Sequence, residues 1–188
     1  MRLIVICAAL LALIACHKPS EDPDGREMPA AEAGLHKSVD RSHRGEAFPK
    51  VSFLDEEDKP MGYGPLLGTP TLVNLWATWC APCVKELPTL QALQKQASTD
   101  LYVATINQDT APRASVEAFL AEHKVDLPIY RDPKMAVSSA LGPDTVLPTS
   151  ILYDANGKEV WRYVGDLDWT SPEAARLIAE GGAPSKKG

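Results

Sequence analysis

Thr71-Leu72-Val73-Asn74-Leu75-Trp76-Ala77-Thr78-Trp79-Cys80-Ala81-Pro82-Cys83 sets an apolar, β-favouring run directly ahead of two cysteines spaced C-x-x-C. Beyond them Val84, Leu87, Leu90 and Leu93 recur at three-residue steps, the spacing of a helix face. The pattern predicts a strand, Thr71 to Thr78, that delivers a dithiol to the first turn of a helix. Unpaired backbone N–H groups and the helix dipole favour negative charge at such an N-terminus, so a Cys80 thiolate is stabilised there and is expected to be accessible. Cys83, three residues on, lies on the same helical face, near enough to close a disulfide with Cys80. The other reading of C-x-x-C is half of a zinc site, which needs two more ligands at metal spacing. No second C-x-x-C exists, and His17, His36, His43 and His123 form no such pair. A redox pair is the reading taken, with no metal and no cofactor expected.

Trp76-Ala77-Thr78-Trp79-Cys80-Ala81-Pro82-Cys83, followed by Lys85-Glu86-Leu87-Pro88, resembles the active-site motif of the thioredoxin superfamily, in the form found in membrane-anchored thiol–disulfide reductases of the TlpA/ResA type. The resemblance covers about residues 46 to 180. It implies a three-layer α/β/α thioredoxin-like fold with an N-terminal β extension and an inserted βα unit before a cis-proline. The cis-proline it points to is Pro148, in Val146-Leu147-Pro148-Thr149-Ser150; as a bare sequence feature, that proline reads equally as a strand opener. By the same resemblance, Cys80 is the attacking sulfur and Cys83 the resolving one. Trp79, Ala81, Pro82 and Leu147 border a groove in which the Leu147 backbone pairs with a substrate strand.

Asn74 stands where thioredoxins proper carry a buried aspartate, and an amide does not titrate. Glu86 is the candidate to take the proton in its place: a partly buried carboxylate beside a thiol acts as acid or base. Its alternative is a helix glutamate facing water. Pro88 is expected to kink the helix. Trp76, Trp161 and Trp169 read as structural, and Trp79 as an exposed apolar contact for partners.

Around this centre the chain divides into four parts. Residues 1–15 read as a signal peptide: Met1-Arg2, then the apolar run Leu3 to Ala15, shorter than the roughly 20 residues that span a bilayer. Leu13-Ile14-Ala15-Cys16 resembles a bacterial lipobox, which makes Cys16 the lipidated N-terminus; the alternative is an ordinary cleavage near Ala15. With Cys7 removed and Cys16 capped, the dithiol pair are the cysteines left, in keeping with an exported protein facing the periplasm. His17 after Cys16 implies outer-membrane sorting by enteric rules. Residues 16–45, rich in Pro, Gly and charge, read as a flexible tether, 46–182 as the globular domain and 183–188 as a polar tail.

Losing Arg2 with the leader takes the formal charge from −6 to −7, which argues against a nucleic-acid partner. The partners implied are disulfide-containing exported proteins as substrates, cytochrome c maturation among the settings, and a membrane thiol reductase as electron donor. Reduction as the direction follows from the resemblance, since strongly oxidising relatives carry a histidine between their cysteines, where this chain has Ala81-Pro82. Two alternatives share the fold. A peroxiredoxin-like peroxidase needs a hydroxyl where Ala77 stands, and a copper carrier uses C-x-x-x-C with a distant histidine, for which His123 is the candidate in the folded domain.

Overall fold

A computed structural model describes residues 38–97 and 99–182. The expected leader, Cys16, His17, His36 and the polar tail lie outside the described residues. Eight strands form one sheet: β1 (Ser38–Asp40), β2 (Phe53–Leu54), β3 (Pro60–Met61), β4 (Thr71–Trp76), β5 (Tyr102–Asn107), β6 (Ile129–Arg131), β7 (Thr149–Tyr153) and β8 (Glu159–Val164). Their order across the sheet is β1-β8-β7-β4-β5-β6-β2-β3. The helices are α1 (Ala81–Ala97), α2 (Arg113–Glu122), α3 (Ala136–Leu141) and α4 (Pro172–Ala179). Strands β4, β5 and β6 run parallel, while β7 and β8 run antiparallel to their neighbours.

All six residues of β4 are buried, as a parallel-sheet strand covered on both faces should be. The period-2 alternation then assigns each side chain to a face. Leu72 and Trp76 join Val103 and Leu152 in a core with α1, α2 and α4, through Leu87, Leu90, Val116, Leu120, Leu177 and Ile178. Val73 and Leu75 join Ala104, Ile106 and Ile151 in a second core, covered by α3 and the segment from Phe48 to Leu66. The expected three-layer arrangement is the one observed. Between β5 and the cis-proline lie α2, β6 and α3, one strand-helix unit more than a single crossover helix, and the peptide Leu147–Pro148 is cis.

The structure moves several boundaries. The ordered domain begins before Glu46: Ser38–Asp40 pair with Val164–Arg162 of β8, and Arg41 and Arg44 reach Glu180. Residues 38–45 therefore belong to the fold, although Val39 is the only apolar residue that β1 contributes. The central strand stops at Trp76 and turns at Ala77, whose carbonyl accepts from the Cys80 N–H. Pro133 stands where a first-turn proline could open a helix, yet α3 starts at Ala136, where the Asp132 carboxylate accepts from the Ala136 and Val137 N–H groups and satisfies two of the helix's unpaired donors. Helix α1 runs from Ala81 to Ala97 with Pro88 inside it. A turn through Asn156-Gly157, a pair that favours hairpins, joins β7 to β8. Gly157 has φ 70°, a conformation that strains any side chain, and a Cβ there would meet the end of the Leu67 side chain at 2.7 Å and the Tyr63 ring at 3.0 Å.

Candidate active site

Cys80 sits immediately before α1 and plays the part an N-cap residue plays. Its carbonyl accepts from Val84 N, the first bond of the helix, at 3.1 Å. Its Sγ accepts from the Cys83 N–H at 3.3 Å, the bond a capping Ser or Asp oxygen would make to the third helical residue. Pro82 carries no N–H, so it offers no competing donor in that turn. The two sulfurs are joined in a disulfide of 2.01 Å, with Cα atoms 5.3 Å apart. Both cysteines belong to the apolar core that includes Trp76, Ala77 and Leu87, with Leu147 packed against it. Cys83 is sealed and Cys80 is 6 % exposed. Cys80 is therefore more covered than the accessible thiol expected from sequence, packed into the apolar core beside Trp76 and Ala77.

The residues bordering the dithiol divide into exposed and covered. Trp79 is 65 % exposed and Val146 40 %; Ala81 and Pro82 are also exposed, Leu147 is half-buried and Pro148 is buried. Trp76 is fully buried, as expected. The exposed rim is therefore apolar over a mostly covered sulfur.

Glu86 is buried, not solvent-facing: 2 % of it is exposed. It lies one helical turn beyond Cys83, a spacing that makes the two side chains neighbours. Its Oε1 accepts from Asn74 Nδ2 at 2.7 Å, and its Oε2 accepts from Leu167 N and Trp169 Nε1, both at 3.2 Å. Burial pushes its pKa up to about 7; the three hydrogen bonds pull the other way, and Asp166 adds to the rise. Asn74 donates also to Ser150 Oγ at 2.9 Å, on the strand that follows Pro148, and its Oδ1 has no hydrogen-bond partner among the described residues. The amide is thus turned as a donor, one N–H to the carboxylate and one to Ser150.

A second buried carboxylate lies on the Cys80 side. Asp109, just past β5, is 4 % exposed. It accepts from Thr78 N at 2.9 Å, from Thr78 Oγ1 at 3.0 Å and from Asn107 Nδ2 at 2.7 Å. The carboxyl end of β5 does open beside the dithiol, as expected of α/β sheets. What sequence reasoning missed is that Asp109 grips Thr78, two residues before Cys80. It also missed Trp169, read as structural, which donates to Glu86. A Thr at the strand's end facing an Asp past the next strand was the available signal for the first; nothing local marked the second.

Among the described residues, His43 and His123 make their contacts away from the dithiol. His43 Nδ1 is 3.2 Å from Glu46 Oε2, and His123 stacks on Phe119 with Nδ1 2.8 Å from the Phe119 carbonyl. A cavity of about 510 Å³, lined by Met61, Leu66, Leu67, Leu101, Tyr102 and Tyr130 among others, lies at the start of β4 and β5, the end of the sheet opposite the cysteines.

With this geometry in place, the comparisons with known proteins agree. A family model described as Redoxin matches residues 43–178. The chain is 29 % identical over 136 residues to a thiol-disulfide oxidoreductase ResA of Bacillus cereus, covering 71 % of this chain and 76 % of that one. Among solved structures it is similar to StoA from Bacillus subtilis, at 26 % identity and TM-score 0.55 over 71 % of this chain and 98 % of that one. It is similar also to a thiol:disulfide interchange protein of the thioredoxin family from Chlorobium tepidum TLS, at 25 % identity and TM-score 0.58 over 73 % and 97 % of the two chains.

Proposed function

Because the chain belongs to the Redoxin family and is a thiol–disulfide oxidoreductase, we propose that it works as a reductase of protein disulfides, with Cys80 attacking and Cys83 resolving. The observation that carries this reading is the Cys80 sulfur in the N-cap position of α1, accepting the Cys83 N–H, with a carboxyl of raised proton affinity one turn behind.

In the reduced protein the same N–H and the helix dipole stabilise a Cys80 thiolate. That thiolate attacks a client disulfide; the client S–S bond breaks, a Cys80–client disulfide forms, and one client sulfur leaves as thiolate. Ionised Glu86 then takes the Cys83 proton. The Cys83 thiolate attacks Cys80 Sγ, closing the intramolecular disulfide seen here and releasing the second client thiolate. Two electrons pass from the dithiol to the client, and protons reach the departing thiolates from solvent and from protonated Glu86. A dithiol donor of the membrane thiol-reductase kind restores the starting state by the same two exchanges in reverse.

Trp79, Val146 and the Ala81-Pro82 edge form the apolar rim against which a client strand lies, paired to the Leu147 backbone. The clients are disulfide-bearing exported proteins, with cytochrome c maturation one setting that fits. The site stands on the periplasmic side of a bacterial membrane, held by lipid on Cys16. What supports export is the leader-like start and the cysteine pattern of the sequence.

The test is a trap. Cys83→Ser should stop the cycle after the first exchange and accumulate a covalent client on Cys80, whereas Cys80→Ser should accumulate none. Incubation of each reduced variant with a disulfide-containing reporter such as insulin, followed by non-reducing electrophoresis, decides it. Equal adduct on both variants, or none on Cys83→Ser, would sink the assignment of attacking and resolving sulfurs.

A further inference from the structure

Of the three donors to Glu86, the Trp169 indole N–H comes from farthest along the chain. Trp169 lies in the loop between β8 and α4, 83 residues beyond Glu86. Only 1 % of it is exposed, and it is fixed at three points. Its indole stacks on Trp161 at 6.4 Å with planes 12° apart, and meets Tyr163 edge-on at 6.5 Å. Its backbone N–H donates to Thr89 Oγ1 at 3.2 Å, and Trp161 is itself anchored by its Nε1 to the Leu177 carbonyl at 2.9 Å. Held in this way, the indole does not turn its N–H away from Glu86 Oε2.

The loop approaches α1 at two other places. Leu167 N donates to the same oxygen, and the Lys85 ammonium bridges to Asp166 at 3.2 Å. The groups that bond or face the Glu86 carboxyl are thus Asn74 from β4, Leu167 N and Trp169 Nε1 from the loop, and Asp166 as a nearby anion; Cys83 stands one turn back on the same helix, and Lys85, on that helix too, is directed to Asp166. Of the donors, Asn74 also carries the link to Ser150 and Leu167 donates through its backbone. Among the described residues, Trp169 alone donates to Glu86 through a side-chain N–H with no second acceptor.

We propose that Trp169 is a positioning residue for the exchange reaction, its indole N–H orienting Glu86 Oε2 and favouring the ionised carboxylate that accepts the Cys83 proton. The proposal rests on the general-base reading of Glu86 above. A donor aimed at a carboxylate favours its charged form, and burial makes that donor count for more than it would in water. Without it, Glu86 keeps its proton to higher pH and is protonated when it is needed as a base.

The experiment uses the whole domain with two replacements at position 169: Trp169→Phe, and a benzothienylalanine isostere that puts sulfur where the indole N–H stands and preserves the ring's shape. The Glu86 titration is followed by the ¹³C shift of its side-chain carboxyl. In parallel, the pH profile of the client-release step is followed by rapid quench of the mixed disulfide. The Glu86 midpoint should rise by about one pH unit in both variants. The release limb should move with it, slowing release about fivefold at pH 7. Glu86→Gln should remove that limb, and adding Trp169→Phe to it should change nothing further.

A shape-preserving isostere that leaves the Glu86 midpoint unmoved overturns the proposal and leaves the general-base reading standing. A midpoint that moves, with a release profile indifferent to both Trp169→Phe and Glu86→Gln, overturns the general-base reading and the catalytic part of the proposal with it. Loss of thermal stability in Trp169→Phe alone, without either shift in the isostere, reduces Trp169 to packing.

Discussion

Glu86 and Asp109 are two carboxyls almost equally hidden, at 2 % and 4 % exposed, on the two sides of one disulfide. Each accepts three hydrogen bonds. They differ in what those bonds hold. The Glu86 donors come from three separated places, an amide on β4, a backbone N–H and an indole, and they surround a group whose proton affinity burial has raised. Two of the three Asp109 donors belong to Thr78, in the turn that carries Cys80. The first carboxyl is arranged to exchange a proton; the second is arranged to hold a backbone in place. Burial and hydrogen-bond number do not separate the two roles. The identity of the donors does.

Four measurements put that contrast at risk. The largest effect should come from Glu86→Gln, which keeps the shape but removes the base. Client release at neutral pH is expected to slow about a hundredfold or more, the usual size of a general-base contribution, whereas Asp109→Asn should leave that step within a few fold. Rapid-quench kinetics on both variants compares them directly. Equal slowing by the two would erase the distinction.

Next is the pH dependence of stability. Glu86 has an ordinary value of 4.5 and is raised in the folded protein to about 7. Below the ordinary value both states hold the proton, and its contribution to folding is fully present. As pH rises, the unfolded chain gives up the proton first, so stability drains away until the folded group also ionises. Urea denaturation of the oxidised domain between pH 4 and pH 8 should show a fall of about 3 kcal/mol from this group, and Glu86→Gln should flatten it. A Glu86→Gln curve as steep as wild type would show that the carboxyl titrates in the ordinary range.

Smaller still is Asp109→Asn. The new amide keeps one acceptor but turns an N–H₂ toward donors, costing about 1–2 kcal/mol in the same urea assay. Alkylation of reduced Cys80 should become less uniform as the turn loosens. The smallest effect should be Thr78→Val, which loses the hydroxyl bond to Asp109 Oδ1 but keeps the backbone one. About 1 kcal/mol or less is expected, and a loss larger than that of Asp109→Asn would mean that Thr78 matters for something other than this grip.

What could be read from the sequence was local. The strand-dithiol-helix order, the apolar β4, the exposed Trp79 and the Asn156-Gly157 turn all follow from residues a few positions apart, whose period or turn chemistry is self-contained. The position of Glu86 on α1 was legible too, but not its burial, because that depends on a loop arriving from beyond β8. Trp169 illustrates the difficulty: nothing near it distinguishes a packing indole from one aimed at a carboxylate on another element. Strand β1 was missed for a related reason. Three residues with one apolar member carry no period, and only pairing with β8 makes them a strand. The start of α3 is not legible from Pro133 alone, because the carboxylate that satisfies its first N–H groups is Asp132, on the far side of that proline.

That short edge strand bears on how the domain would respond to being pulled from its upstream side. Force entering at Ser38 meets three paired residues of β8 and the Arg41 and Arg44 contacts with Glu180, which are partly in water and add little resistance. Only after these yield does load reach β8 itself, and through it β7 and Pro148. The first strand would act as a mechanical fuse: a pulling experiment with its handle at Ser38 should record a small early rupture, with the dithiol end of the sheet still folded behind it.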